Sequence, residues 1–234
     1  MEPVHSGLGG GVVPDAFMIL SRIIASFHND KGELLIEGLT PTEQDVFELS
    51  DEFVKSSLSS NGVELFEMDS YSKRLWLEPA LSILAIDAPP VAESVNLLIP
   101  KAKAKVSLRL PPTEDPDHAM NMLEQHIKEN TPFNANVEFI PEAKGKGILV
   151  DPKNEFSSKL IESFNKHWEN EVAYMGVGGS IPFANVFINE FPNSEIVLVG
   201  AGDEEGNAHA PNESVNISDI QRLIDSLTDA ISNY

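Results

Sequence analysis

Apolar residues recur at helical spacing from Val13 to His28, behind Pro14 and Asp15, a pair that marks a helix start. After a break at Asn29 to Gly32, a short β-like run covers Leu34 to Ile36. Acids and apolar residues alternate at helical spacing over Pro41 to Leu58, with Thr40 and Pro41 as cap and first helical position. Strands are predicted over Ala80 to Ile86 and Ala102 to Leu110, the second (AKAKVSLRL) alternating between two faces. A helix opened by Asp115 and Pro116 runs to Glu129, and a strand is predicted over Asn136 to Ile140. This order suits an α/β sandwich with helices on one face of an antiparallel sheet.

Beyond "PEAKGKG" (Pro141 to Gly147) the texture changes. Helix Asn154 to Trp168, strand Val172 to Met175, a glycine turn, helix Ile181 to Asn189, strand Glu195 to Val199 and helix Ser218 to Ser232 make a βαβα rhythm. That rhythm marks a parallel or mixed sheet and puts a domain boundary near Lys146.

Composition narrows the chemistry. A length of 234 residues with 41% apolar content is enough for one large core or two small ones. Zero cysteines exclude disulfides and thiolate metal sites, so a metal must be held by His and carboxylates. The net charge of -21 repels nucleic acid and anionic membranes, so neither is expected as a partner. No apolar run approaches a membrane span and MEPVHSGLGG lacks the pattern of a signal peptide, from which a cytoplasmic location is expected.

The glycine clusters fail the common ligand fingerprints. In "HSGLGGGVVPD" the third glycine of a dinucleotide turn is replaced by Val12, and no strand precedes it. Counted from Asp203 as a calcium loop, "DEEGNAHAPNES" has Ala208 in place of the turn glycine and Ser214 in place of the bidentate acid. "GVGGSIP" (Gly176 to Pro182) lacks a phosphate-loop lysine, yet a glycine turn entering a helix offers free backbone N–H groups to a carboxylate.

In order along the chain, "VHSGLGGGVVPDAFMILSRIIASFHN", "LIPKAKAKVSLRLPP", "GGSIP" and "AHAPNE" resemble the carnosinase-like zinc metallopeptidases, a group that includes carboxypeptidase G, the aminoacylases and succinyl-diaminopimelate desuccinylase. The resemblance implies an α/β protein: a ferredoxin-like α+β lid, through which two subunits dimerise, over residues 1–146, and the C-terminal part of an α/β zinc-peptidase catalytic domain over 147–234. It also implies a hydrolase that cleaves the amide bond of a dipeptide or N-acyl amino acid with water activated by two zinc ions.

Roles follow from the same resemblance. His209 resembles a zinc ligand, with Glu213 as its supporting partner. His5 resembles the lid histidine that reaches the neighbouring subunit's site and supports the oxyanion. Arg109 matches the clamp on the substrate carboxylate, Gly179 and Ser180 the turn that binds the same group, and Asn96 a lid asparagine near the scissile carbonyl. Met175 to Val177 departs from the family's usual Arg-Glu-Gly, which bears on substrate preference.

In the family the remaining zinc ligands and the general base precede the "HSG" segment, which here starts at residue 5. The expectation is a chain without the lid's first strand, holding one ligand, binding no zinc alone and inactive alone. The second function class is therefore a non-catalytic dimerisation module or truncated remnant. Each role has a plainer competitor: a solvated loop histidine for His209, a frayed terminus for His5, and an edge-strand charge for Arg109.

Overall fold

The computed structural model describes residues 4–58, 62–149, 153–176, 186–188, 190–191, 193–203, 206 and 211–234. The chain divides into two compact units, residues 1–147 with 175–180, and residues 148–174 with 181–234.

In the first unit, α1 (Ser6–Gly9) is followed by α2 (Ala16–Ala25). Asp15 caps α2 as its sequence suggests, Oδ1 accepting the Met18 N–H at 2.9 Å. Two helices follow, α3 (Asp51–Leu58) and α4 (Tyr71–Trp76), then β1 (Ala80–Asp87), β2 (Lys103–Arg109) and α5 (Pro116–Glu129). β1 and β2 pair antiparallel, Ala80 opposite Arg109 and Asp87 opposite Lys103, with a bulge between Ile83 and Ala85. Asp115 caps α5 through the His118 and Asp117 N–H groups, and the bond from His118 is the chief cause of a carboxyl pKa below the usual range.

The core forms where α2 and α5 lay their apolar faces on this ladder: Ile23, Phe27, Ile36, Leu81, Leu123 and Ile127 are buried together. His126 joins it as a structural side chain, stacked on Phe27 and 3.0 Å from Ser26 Oγ.

Three expectations are corrected. Pro41 to Leu58 is not one helix: α3 begins only at Asp51. The backbone before it is drawn into tertiary bonds instead, Thr42 N–H to the Leu77 carbonyl and Leu49 N–H to Ser72 Oγ, both 2.8 Å. Leu34 to Ile36 is reduced to an isolated bridge between Leu34 and His28. Asn136 to Ile140 is extended without a ladder partner; Phe139 packs on the core, and side chains beyond it pair Glu142 with Lys105 and Lys144 with Asp117. Periodicity tells which face is apolar, but a strand also needs a hydrogen-bonded neighbour. Among the described residues, the first unit is therefore a mixed α/β body with a small two-stranded sheet.

In the second unit, α6 (Glu155–His167) packs on α7 (Ile217–Ser232). Ser163 Oγ donates to the Ser226 carbonyl at 2.7 Å, a close contact that small side chains permit. Glu195, expected to begin a strand, caps α6 from a distance, accepting from the Phe156 and Ser157 N–H groups at 3.1 and 3.0 Å. Desolvation raises this carboxyl's pKa, but the N–H groups of Ser157 and Phe156 and the Ser157 hydroxyl outweigh it and leave it low. Val172 to Met175 and Glu195 to Val199 form no ladder among the described residues, and most of Ile181 to Asn189 lies outside them.

Replacing Asp15 with alanine removes the acceptor for an orphan helix N–H and should lower stability by about 1 kcal/mol, whereas asparagine should cost only a few tenths. Urea unfolding checks both, and equal losses would show that the cap is not the stabilising feature.

Candidate functional site

The "HSG" segment is held by backbone bonds to the stretch before β2. Leu98 N–H donates to the Val4 carbonyl at 2.8 Å and Ser6 N–H to the Asn96 carbonyl at 2.9 Å, so His5 and Asn96, 91 positions apart in sequence, lie side by side. Both are exposed. The glycines explain how the segment fits. A Cβ on Gly9 would stand 2.7 Å from Val4 Cγ1 and 3.3 Å from Leu98 Cδ1, and one on Gly10 would stand 2.3 Å from the Ser6 carbonyl oxygen. They serve close packing, which is why no nucleotide fingerprint was met.

His5 caps α1 with Nδ1, which accepts the Gly7 N–H at 3.0 Å. A nitrogen that accepts carries no proton, so the neutral ring carries its proton on Nε2, leaving that atom as a donor.

Arg109 closes the far end of β2, exposed, and makes no ion pair among the described residues. Its distance from His5 is set by α2. Ala16 N–H at the start of α2 bonds the Ile99 carbonyl, three residues past Asn96. Phe27, just past its end, is buried in one cluster with Leu81, and Leu81 faces Leu108 beside Arg109. Ten helical residues span about 15 Å, so the His5–Asn96 pair and Arg109 sit at opposite ends of the lid.

Gly176, at the entry to the expected glycine turn, packs against Trp76 at the end of α4. A Cβ on Gly176 would stand 2.5 Å from Trp76 Cγ, so only glycine fits against the end of α4, four residues before Ala80. Gly179 and Ser180 themselves lie outside the described residues, as does His209. On either side of it, Ser214 N–H donates to the Gly206 carbonyl at 2.9 Å, Asn212 stands at φ 65° and Glu213 is exposed. Among the described residues no three His, Asp or Glu side chains converge as a metal site, so no step through a metal follows from their geometry.

Comparison with known proteins settles the family. The profile of the M20 peptidase dimerisation domain matches residues 2–135. The chain belongs to the M20 peptidases. It is 30% identical over 231 residues to the cysteinylglycine-S-conjugate dipeptidase of Corynebacterium striatum, covering 94% of this chain and 50% of the relative. It is 26% identical over 239 residues to the Cys-Gly metallodipeptidase DUG1 of Saccharomyces cerevisiae, covering 93% and 48%. The M20 family metallo-carboxypeptidase Sso-CP2 of Sulfolobus solfataricus shares the fold, with a TM-score of 0.72 at 22% identity over 99% of this chain and 55% of that one. Human carnosine dipeptidase 1 does so with a TM-score of 0.69 at 18% identity over 100% and 52%. This M20 chain thus spans about half the length of the relatives it matches. His5, Asn96 and Arg109 fall inside the matched dimerisation domain, while Gly179, Ser180, His209 and Glu213 follow it.

Sequence reading missed Trp76 and Glu195. Trp76 sits in the short α4 with no motif around it, and Glu195 caps a helix that begins 40 positions earlier. Neither contact leaves a local signal.

His28 supplies a pH test. Burial, then the nearby Arg74 guanidinium, holds its pKa below the ordinary 6.5 against the opposing Leu81 hydrogen bond. The folded chain binds this proton more weakly than the unfolded chain, so the stabilisation is present above pH 6.5 and is lost as pH falls through the lower folded-state value. The urea midpoint should drop between about pH 7.5 and about pH 5.5, and the slope should flatten in His28→Gln. An unchanged slope in that variant would assign the pH dependence elsewhere.

Proposed function

We propose that this chain is the lid and C-terminal catalytic segment of a metal-dependent hydrolase that cleaves the amide bond of a dipeptide or N-acyl amino acid and works as a homodimer in the cytoplasm. The observation that carries this reading is the separation of His5 and Asn96 from Arg109 along α2. One small substrate does not reach both ends of one lid. Two copies related by a two-fold axis resolve the conflict, each lid giving its His5 end to one site and its Arg109 end to the other.

In this reading His5 Nε2–H and the Asn96 amide donate to the scissile carbonyl as charge builds on its oxygen. Arg109 clamps the substrate carboxylate with a planar fork, joined by Gly179 and Ser180, which follow Gly176 packed against Trp76 at the end of α4. His209 is a zinc ligand steadied by Glu213, and zinc, bound in the complete site, supplies the activated water. In this reading the further ligands and the general base come from sequence outside these 234 residues, since one histidine does not hold a catalytic zinc. Alone, the 234 residues should therefore hydrolyse no dipeptide, and chelator-sensitive turnover by the purified chain would overturn that statement.

The deciding experiment mixes variants of an enzyme that carries this chain with its metal-binding half. His5→Ala and Arg109→Ala homodimers should each be nearly inactive. Mixed and reassociated, half the dimers are hybrids with one intact site, restoring about a quarter of the full activity. No recovery would place both residues in one subunit's site. Metal analysis separates the remaining roles: His209→Ala should lose metal and turnover together, while Arg109→Ala keeps its metal and loses substrate binding.

A further inference from the structure

The stretch 175–180 groups with residues 1–147, although 148–174 before it and 181–234 after it form the second unit. Three of its six residues, at 176, 178 and 179, are glycine, which gives its backbone wide conformational freedom. A backbone that presents N–H groups to a carboxylate in a set direction needs something rigid to hold it. Trp76, half-buried, is placed to do this. Its ring edge fills the space a side chain would take at position 176: a Cβ there would stand 2.5 Å from Cγ, 2.6 Å from Cβ and 2.9 Å from Cδ1 of Trp76. Trp76 is itself held from both sides. Arg74, two residues before it, pairs with Glu78 at 2.8 Å and donates to the Gly32 carbonyl. Leu77, the next residue, is buried, and its carbonyl accepts the Thr42 N–H at 2.8 Å. An aromatic side chain with only two torsions, on a base tied this way, is a stiff abutment for a flexible chain.

We infer that Trp76 is a positioning residue for substrate recognition: by seating the backbone at Gly176 it sets where the chain enters Gly179 and Ser180, and so how firmly the substrate carboxylate is held. The inference rests on the carboxylate-binding role proposed above for Arg109, Gly179 and Ser180, and names what fixes the last two. Trp76 acts through the backbone and not on the substrate. Position 176 must then be glycine, because any Cβ drives the chain off the ring. The ring atoms that meet Gly176 are the ones phenylalanine shares with tryptophan, Cβ, Cγ and Cδ1, so the contact survives in Trp76→Phe and is lost in Trp76→Ala.

The test measures KM and kcat for a dipeptide, with metal content, in an enzyme that carries this chain with its metal-binding half. Trp76→Ala and Gly176→Ala disturb the contact from its two sides. Each should raise KM about tenfold, while metal content and kcat per bound metal change by less than about twofold. Trp76→Phe should keep KM within about twofold of the wild type. A loss of kcat and metal in Trp76→Ala at unchanged KM marks a general structural role and overturns the inference. So does a Trp76→Phe variant that behaves like Trp76→Ala, or a Gly176→Ala variant with unaltered KM. If Trp76→Ala does not fold, Gly176→Ala against Trp76→Phe decides by the same measurement. Arg109→Ala separates this failure from that of the reading beneath it. If it raises KM and Trp76→Ala does not, only the role of Trp76 falls; if neither does, the carboxylate clamp falls as well.

Discussion

The lid is organised by the fastening of α2 at both ends. Its first N–H bonds the Ile99 carbonyl, and Phe27, just past its far end, is buried in the core with Leu81. A helix held this way is a spacer of fixed length, because its rise per residue does not adjust. The His5–Asn96 pair therefore lies toward one end of the ladder and Arg109 at the other. Ile23, Phe27, Leu81, Leu123 and Ile127 bury the apolar area that keeps the spacer seated.

The glycine-rich start has a mechanical function that its composition hides. Gly9 and Gly10 let the chain pass under Val4, Leu98 and its own Ser6 carbonyl, and the tight turn brings the Gly7 N–H to His5 Nδ1. That single bond fixes which ring nitrogen keeps its proton, so packing of small residues sets the chemistry a histidine presents.

Much of the scaffold was legible in the chain because its signals are local. Asp15 and Asp115 announce α2 and α5, and the alternation from Ala102 to Leu110 announces β2 to within a residue at each end. The longest misreading, Pro41 to Leu58, arose where helical periodicity competed with acceptors and donors far along the chain: Leu77, Ser72 and Thr113 hold that segment in a non-helical path. Of the site, Arg109 could be placed at a strand end from pattern alone. Its distance from His5 could not, since it depends on the direction α2 takes across the sheet.

By itself the sequence determined the periodic elements, the absence of thiol chemistry, the acidic surface and, through four ordered motifs, the family. Each of these is a property of neighbouring residues or of totals. Only the tertiary structure decided that His5 and Asn96 adjoin while Arg109 stands apart, that Glu195 caps α6, and that segments 4–14 and 88–100 lie against each other. The physical reason is common to all three. They rest on hydrogen bonds between residues tens of positions apart, whose geometry is fixed by the packing of whole elements and leaves no periodicity in the chain.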